Sequence, residues 1–93
     1  MKKGKIMLVE DSQNLRYVLR DYFEMLDYEV AEYSDGTSAC KAFNRGLFDI
    51  CILDVMMPDR DGYAVLQEIR KLDSDVPVIF LTAKTSKEDR IKG

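Results

Sequence analysis

Apolar positions along this chain follow two rhythms. Short continuous runs, Ile6–Val9 and Ile50–Leu53, are bounded by charged or turn-forming residues. Such runs read as strands buried on both faces of a sheet. Pro77–Leu81 is a third, with proline at its first position, where the missing N–H is tolerated. Glu29–Tyr33 alternates polar and apolar residues and suits a sheet edge. Between these runs the period lengthens to that of a helix. Leu15, Val18, Leu19, Tyr22, Phe23 and Leu26 form one stripe, capped by either Asp11 or Ser12. Ala39, Cys40, Ala42 and Phe43 give a second helix a small, close-packing face, with Gly46 as its expected C-terminal cap. Val65, Leu66, Ile69 and Leu72 define a third helix after Gly62, and Asp73–Asp75 is its exit. Ser86–Asp89 resembles a capping box opening a fourth. Strands alternating with helices imply crossover connections and a parallel sheet covered on both faces.

Ninety-three residues allow one domain. The net charge of −3 argues against nucleic-acid binding by this segment, which would need a basic face. No apolar run is long enough to span a membrane. The basic start Met1–Lys5 is followed by too short an apolar run for a signal peptide, so the expected location is the cytoplasm. Cys40 and Cys51 sit in apolar patterns and are expected to be small buried hydrophobes rather than a disulfide. Without histidine, and with its cysteines apart, the chain has no zinc set.

Three runs end in functional groups: Glu10 and Asp11 after Ile6–Val9, Asp54 after Ile50–Leu53, Thr82 after Pro77–Leu81. In a parallel sheet these ends share the edge where open α/β folds place their ligands. Neighbouring first and third strands would bring three carboxylates together. Unit charges ~4 Å apart repel by roughly 4 kcal/mol at an effective dielectric of ~20. Proton sharing or a bound cation relieves this. Oxygen ligands alone favour Mg²⁺, Mn²⁺ or Ca²⁺, and a few carboxylates completed by water is the magnesium pattern. A carboxylate beside Mg²⁺ with a hydroxyl on the next strand suits phosphoryl transfer, with Asp54 as nucleophile and Glu10 and Asp11 as metal holders. Asp59 and Asp61 read as solvated turn acids, Met56 and Met57 as loop packing residues, and Lys87–Lys92 as a solvated face.

Ile6–Ser12, Ile52–Gly62, Val76–Ala83 and Asp89–Gly93 together resemble the receiver domain of bacterial two-component response regulators, in family order and spacing. The resemblance covers essentially all of residues 1–93. It implies a flavodoxin-like, three-layer, doubly wound parallel sheet in strand order 2-1-3-4. It also implies that Asp54 accepts a phosphoryl group from a sensor histidine kinase or phosphotransfer protein. Asp11 and Asp54 would bind Mg²⁺ (or Mn²⁺) through carboxylates, Met56 through its backbone carbonyl and Glu10 through a water. Thr82 would be the switch hydroxyl, and Met56 and Lys84 would tune hydrolysis. Such a protein assists its own phosphotransfer rather than turning over substrate.

The family pattern continues with a fifth strand, a fifth helix and a lysine after that strand, which these residues do not include. The resemblance therefore implies a receiver incomplete at its C-terminus. Losing one preorganised stabiliser costs ~10²–10³ in rate, so weak or no phosphorylation is expected of the chain as it stands. Without the fifth helix, part of the stripe Leu15–Phe23 would lose its cover. An open fourth-strand edge would then invite self-association through that edge and the first helix. An inactive receiver fragment serving as an interaction unit is the alternative function. A haloacid-dehalogenase-type phosphatase wants a second Asp two residues after the nucleophile, where this chain has Met56. A flavodoxin-like nucleotide binder wants a Gly-rich loop where Glu10 and Asp11 stand.

Overall fold

The computed structural model describes residues 2–57 and 61–81. Among these residues four strands and three helices alternate: β1 Gly4–Val9, α1 Gln13–Met25, β2 Tyr28–Tyr33, α2 Gly36–Ala42, β3 Ile50–Asp54, α3 Gly62–Leu72 and β4 Val78–Leu81. All pairings are parallel, in the order β2-β1-β3-β4. The α/β class, the strand order and β2 at the sheet edge are those expected from the sequence.

Side-chain alternation along the central strands divides the interior in two. Met7, Val9, Cys51 and Leu53 point to one face and pack with Ala39, Phe43, Val65 and Ile69 of the α2–α3 layer. Ile6, Leu8 and Ile52 point to the other, against Leu19 and Phe23 of α1. From Ile6 in β1 and Ile50 in β3, both central strands are therefore apolar at every position up to their C-terminal ends, where the acids begin.

Caps fix the helix limits. Ser12, rather than Asp11, caps α1, its Oγ accepting from Leu15 N at 3.4 Å. Asp35 caps α2 through Ser38 N at 2.7 Å. Asp61 caps α3 through Ala64 N at 2.8 Å, so this acid is a helix cap and not merely a solvated turn residue.

Three expectations need correction. Gly46 is not the C-cap of α2, which ends at Ala42 with Phe43 as its cap. Gly46 instead holds φ +82° in the turn that Leu47 N closes onto Asn44 O, a left-handed position favouring glycine. Cys51 is fully buried, but Cys40 is only half-buried. Met57 packs against the core, whereas the Met56 side chain is exposed.

The α1 stripe covers its face of the sheet incompletely. None of its residues is fully buried, and Val18, Tyr22 and Leu26 are exposed. An apolar groove of about 370 Å³ runs between Tyr22, Phe23 and Leu26 on one side and Ile50, Ile79 and Leu81 on the other. No helix among the described residues is long and apolar enough to cross a membrane.

Candidate functional site

The β1–β3 register ends with Val9 opposite Leu53. The next residue on each side is an acid, Glu10 and Asp54, so the two carboxylates leave adjacent strands at one level. Glu10 N donates to Tyr33 O at 3.0 Å, which extends the β1–β2 ladder by one rung before the chain turns into α1. Asp11 follows at the turn. One oxygen each from Glu10, Asp11 and Asp54 lies within 4.8 Å of the others. The sequence expected these three acids to converge, and they do.

Their surroundings differ. Glu10 and Asp54 are fully buried, while Asp11 is exposed. Glu10 Oε2 accepts from Ser12 N at 2.7 Å. Glu10 Oε1 is buried with no hydrogen-bond partner among the described residues. A buried, half-satisfied carboxylate is costly when ionised. Burial accordingly pushes the Glu10 carboxyl up to about 7; the Ser12 N–H opposes this, and the neighbouring Asp11 and Asp54 add to it. An oxygen-only set, with one carboxylate oxygen lacking a donor among the described residues, fits a hard divalent cation.

Asp54 is fixed from behind by close packing. Asp54 Oδ1 accepts from Met56 N at 3.3 Å, which brings the Met56 backbone beside the carboxylate. Gly62, the first residue of α3, donates its N–H to Val55 O at 2.9 Å. A Cβ at Gly62 would stand 2.5 Å from Asp54 O.

Sequence reasoning missed a second set of contacts. Arg16, on the first turns of α1, donates from Nη1 to the Glu10 carbonyl at 2.8 Å and from Nε to Glu32 Oε1 at 3.1 Å. Arg20 Nη1 takes the other Glu32 oxygen at 2.8 Å. The spacing of Arg16 and Arg20, one helical turn apart, was the only hint available. Thr82, Lys84, Asp59 and the Ser86–Asp89 box lie outside the described residues.

Residues 6–93 match the family model described as the response regulator receiver domain. The transcriptional regulatory protein RprY of Bacteroides fragilis is 45% identical over 92 residues, covering 99% of this chain and 39% of RprY. The chain thus spans about two-fifths of the length of that relative. Among solved structures, the non-phosphorylated HemR receiver domain from Leptospira biflexa superposes with a TM-score of 0.84 at 32% identity, covering 98% of this chain and 73% of that one. TrrA of Thermotoga maritima, solved in complex with Mg²⁺–BeF, gives 0.81 at 38% identity, covering 89% and 70%. TrrA has also been solved in complex with the histidine kinase ThkA. The acid-tipped parallel sheet, the family match and these neighbours agree: the chain belongs to the response regulator receiver domain family.

Proposed function

We propose that this chain is a phosphoacceptor signalling module in which Asp54 takes a phosphoryl group from a sensor histidine kinase or phosphotransfer protein in a Mg²⁺-dependent reaction. The observation that carries the proposal is the meeting of Glu10, Asp11 and Asp54, two of them buried, at the C-terminal ends of the central strands. Asp11 and Asp54 would hold Mg²⁺ (or Mn²⁺) through their carboxylates, Met56 through its carbonyl and Glu10 through a water. The ion, when bound, supplies positive charge against the carboxylates and the phosphoryl oxygens. A carboxylate oxygen of Asp54 attacks phosphorus. The bond from phosphorus to the donor's histidine nitrogen breaks, and that nitrogen keeps the electron pair. The product is an acyl phosphate on Asp54.

TrrA's complexes with Mg²⁺–BeF and with a histidine kinase support this assignment by analogy. Thr82 follows directly after Leu81, the residue paired with Asp54, and is proposed as the switch hydroxyl. The module changes state on phosphorylation rather than turning over substrate, and its proposed location is the cytoplasm. Self-association through the β4 edge and the exposed face of α1 is a further proposed contact, tested by concentration-dependent light scattering.

The deciding experiment is intact-mass analysis after incubation with acetyl phosphate and Mg²⁺. Slow addition of one phosphoryl group, lost in Asp54→Asn and in EDTA, is expected. A label that persists in Asp54→Asn overturns the proposal, and none after prolonged incubation with acetyl phosphate and with a phosphorylated kinase overturns it in favour of the inactive interaction unit.

A further inference from the structure

We infer that Arg16, held by Glu32, is a positioning residue for the acidic site: it fixes the Glu10 peptide while its own charge is kept off the carboxylates. The inference rests on the metal-binding reading above and adds a residue to it. Glu10 is the pivot at which β1 turns into α1. Its N–H is held by Tyr33 O, its carboxylate by Ser12 N and its carbonyl by Arg16 Nη1. The first two bonds come from the backbone. The third comes from a side chain and is the one that substitution can remove.

Arginine suits this post because its planar fork donates in two directions at once. Nη1 reaches the Glu10 carbonyl while Nε is taken by Glu32 Oε1, and the side chain is only 14% exposed. Lysine offers a single flexible ammonium and cannot reproduce the fork. Glu32 does two things. It aims the guanidinium at the peptide, and it balances a cation that would otherwise be free to turn toward Glu10 and Asp11. A guanidinium reaching those carboxylates would occupy the place of the metal. Arg20, on the other oxygen of Glu32, braces that carboxylate from one turn further along α1. The device crosses three elements, from β2 through α1 to the end of β1.

The test is Mg²⁺ titration by calorimetry on the wild type, Arg16→Lys, Arg16→Ala and Glu32→Gln, with thermal unfolding of each in EDTA. Arg16→Lys and Arg16→Ala are expected to weaken Mg²⁺ binding about tenfold, the scale typical of groups that orient metal ligands. The amide signals of Glu10 and Asp11 should shift in the metal-free spectra of the same variants. Glu32→Gln should weaken binding as well, and Arg16→Ala in the Glu32→Gln background should add little. A purely structural role would lower the EDTA unfolding midpoint and leave the Mg²⁺ affinity of the folded protein unchanged, which overturns the inference. A wild type that binds no Mg²⁺, or binds it equally well after Asp11→Asn and Asp54→Asn, removes the metal-binding reading and this inference with it. Wild-type binding that needs both acids but is indifferent to Arg16 overturns the positioning role alone.

Discussion

The carbonyl oxygen of Asp54 occupies the space that a side chain at Gly62 would need, 2.5 Å from an ideal Cβ there. Alanine in place of helical glycine ordinarily stabilises by about 1 kcal/mol. Here the obstacle is backbone, so β3 or α3 must shift, and overpacking of this kind costs about 1–3 kcal/mol. Gly62→Ala is therefore expected to lower the urea midpoint at unchanged slope and to weaken Mg²⁺ binding. A more stable variant would show that the contact yields freely.

Asp61, immediately before it, caps α3 through Ala64 N. Asp61→Ala should cost about 1 kcal/mol of stability, and Asp61→Asn much less, since asparagine caps nearly as well. Chemical denaturation of the two variants checks this. Equal losses would assign the effect to charge rather than to the hydrogen bond.

Stability without metal should depend on pH through Glu10, whose carboxyl is raised from 4.5 to about 7. Between those values the folded chain holds a proton that the unfolded chain has lost. The contribution is fully present below pH 4.5 and disappears as pH rises through about 7. At ~1.4 kcal/mol per pH unit, the scale is about 3 kcal/mol. In EDTA, Glu10→Gln should abolish this fall and be the more stable protein at pH 8. Wild type and Glu10→Gln with parallel pH profiles would refute the assignment.

Saturating Mg²⁺ should act in the opposite direction, because a ligating site binds best when deprotonated. The rise in unfolding midpoint on adding Mg²⁺ is expected to be larger at pH 8 than at pH 5.5. Equal rises at both pH values would place the ion elsewhere.

Burial pushes the Cys51 thiol up to about 11. At pH 8 it is protonated and inaccessible, so iodoacetamide should modify the half-buried Cys40 first. Cys51 should react only as fast as the chain opens. Above pH 9 the same shift lowers stability, since the unfolded thiol ionises first. Peptide mapping after timed alkylation gives the answer, and comparable rates at both cysteines would contradict it.

Much of this was legible in the sequence because it depends on local pattern. Ile6–Val9 and Ile50–Leu53 are apolar throughout, which only doubly covered strands need, and the acids that end them mark the sheet's ligand edge. Asp11 and Ser12 were both candidate caps for α1, and only the turn geometry separates them. Gly46 was misread because glycine serves helix ends and tight turns alike. The Arg16–Glu32 pair and the Gly62–Asp54 contact were hidden for another reason. Each joins residues whose proximity depends on strand register and layer spacing, and neither has a local signature.

The two buried acids are anchored to opposite layers. Glu10 is tied to α1 through Ser12 and Arg16, and Asp54 is wedged against the start of α3. A shift of the backbone at either acid would therefore press on the helix it touches, one on each side of the sheet. The rim and the two outer faces of the molecule are in this way joined through main-chain contacts.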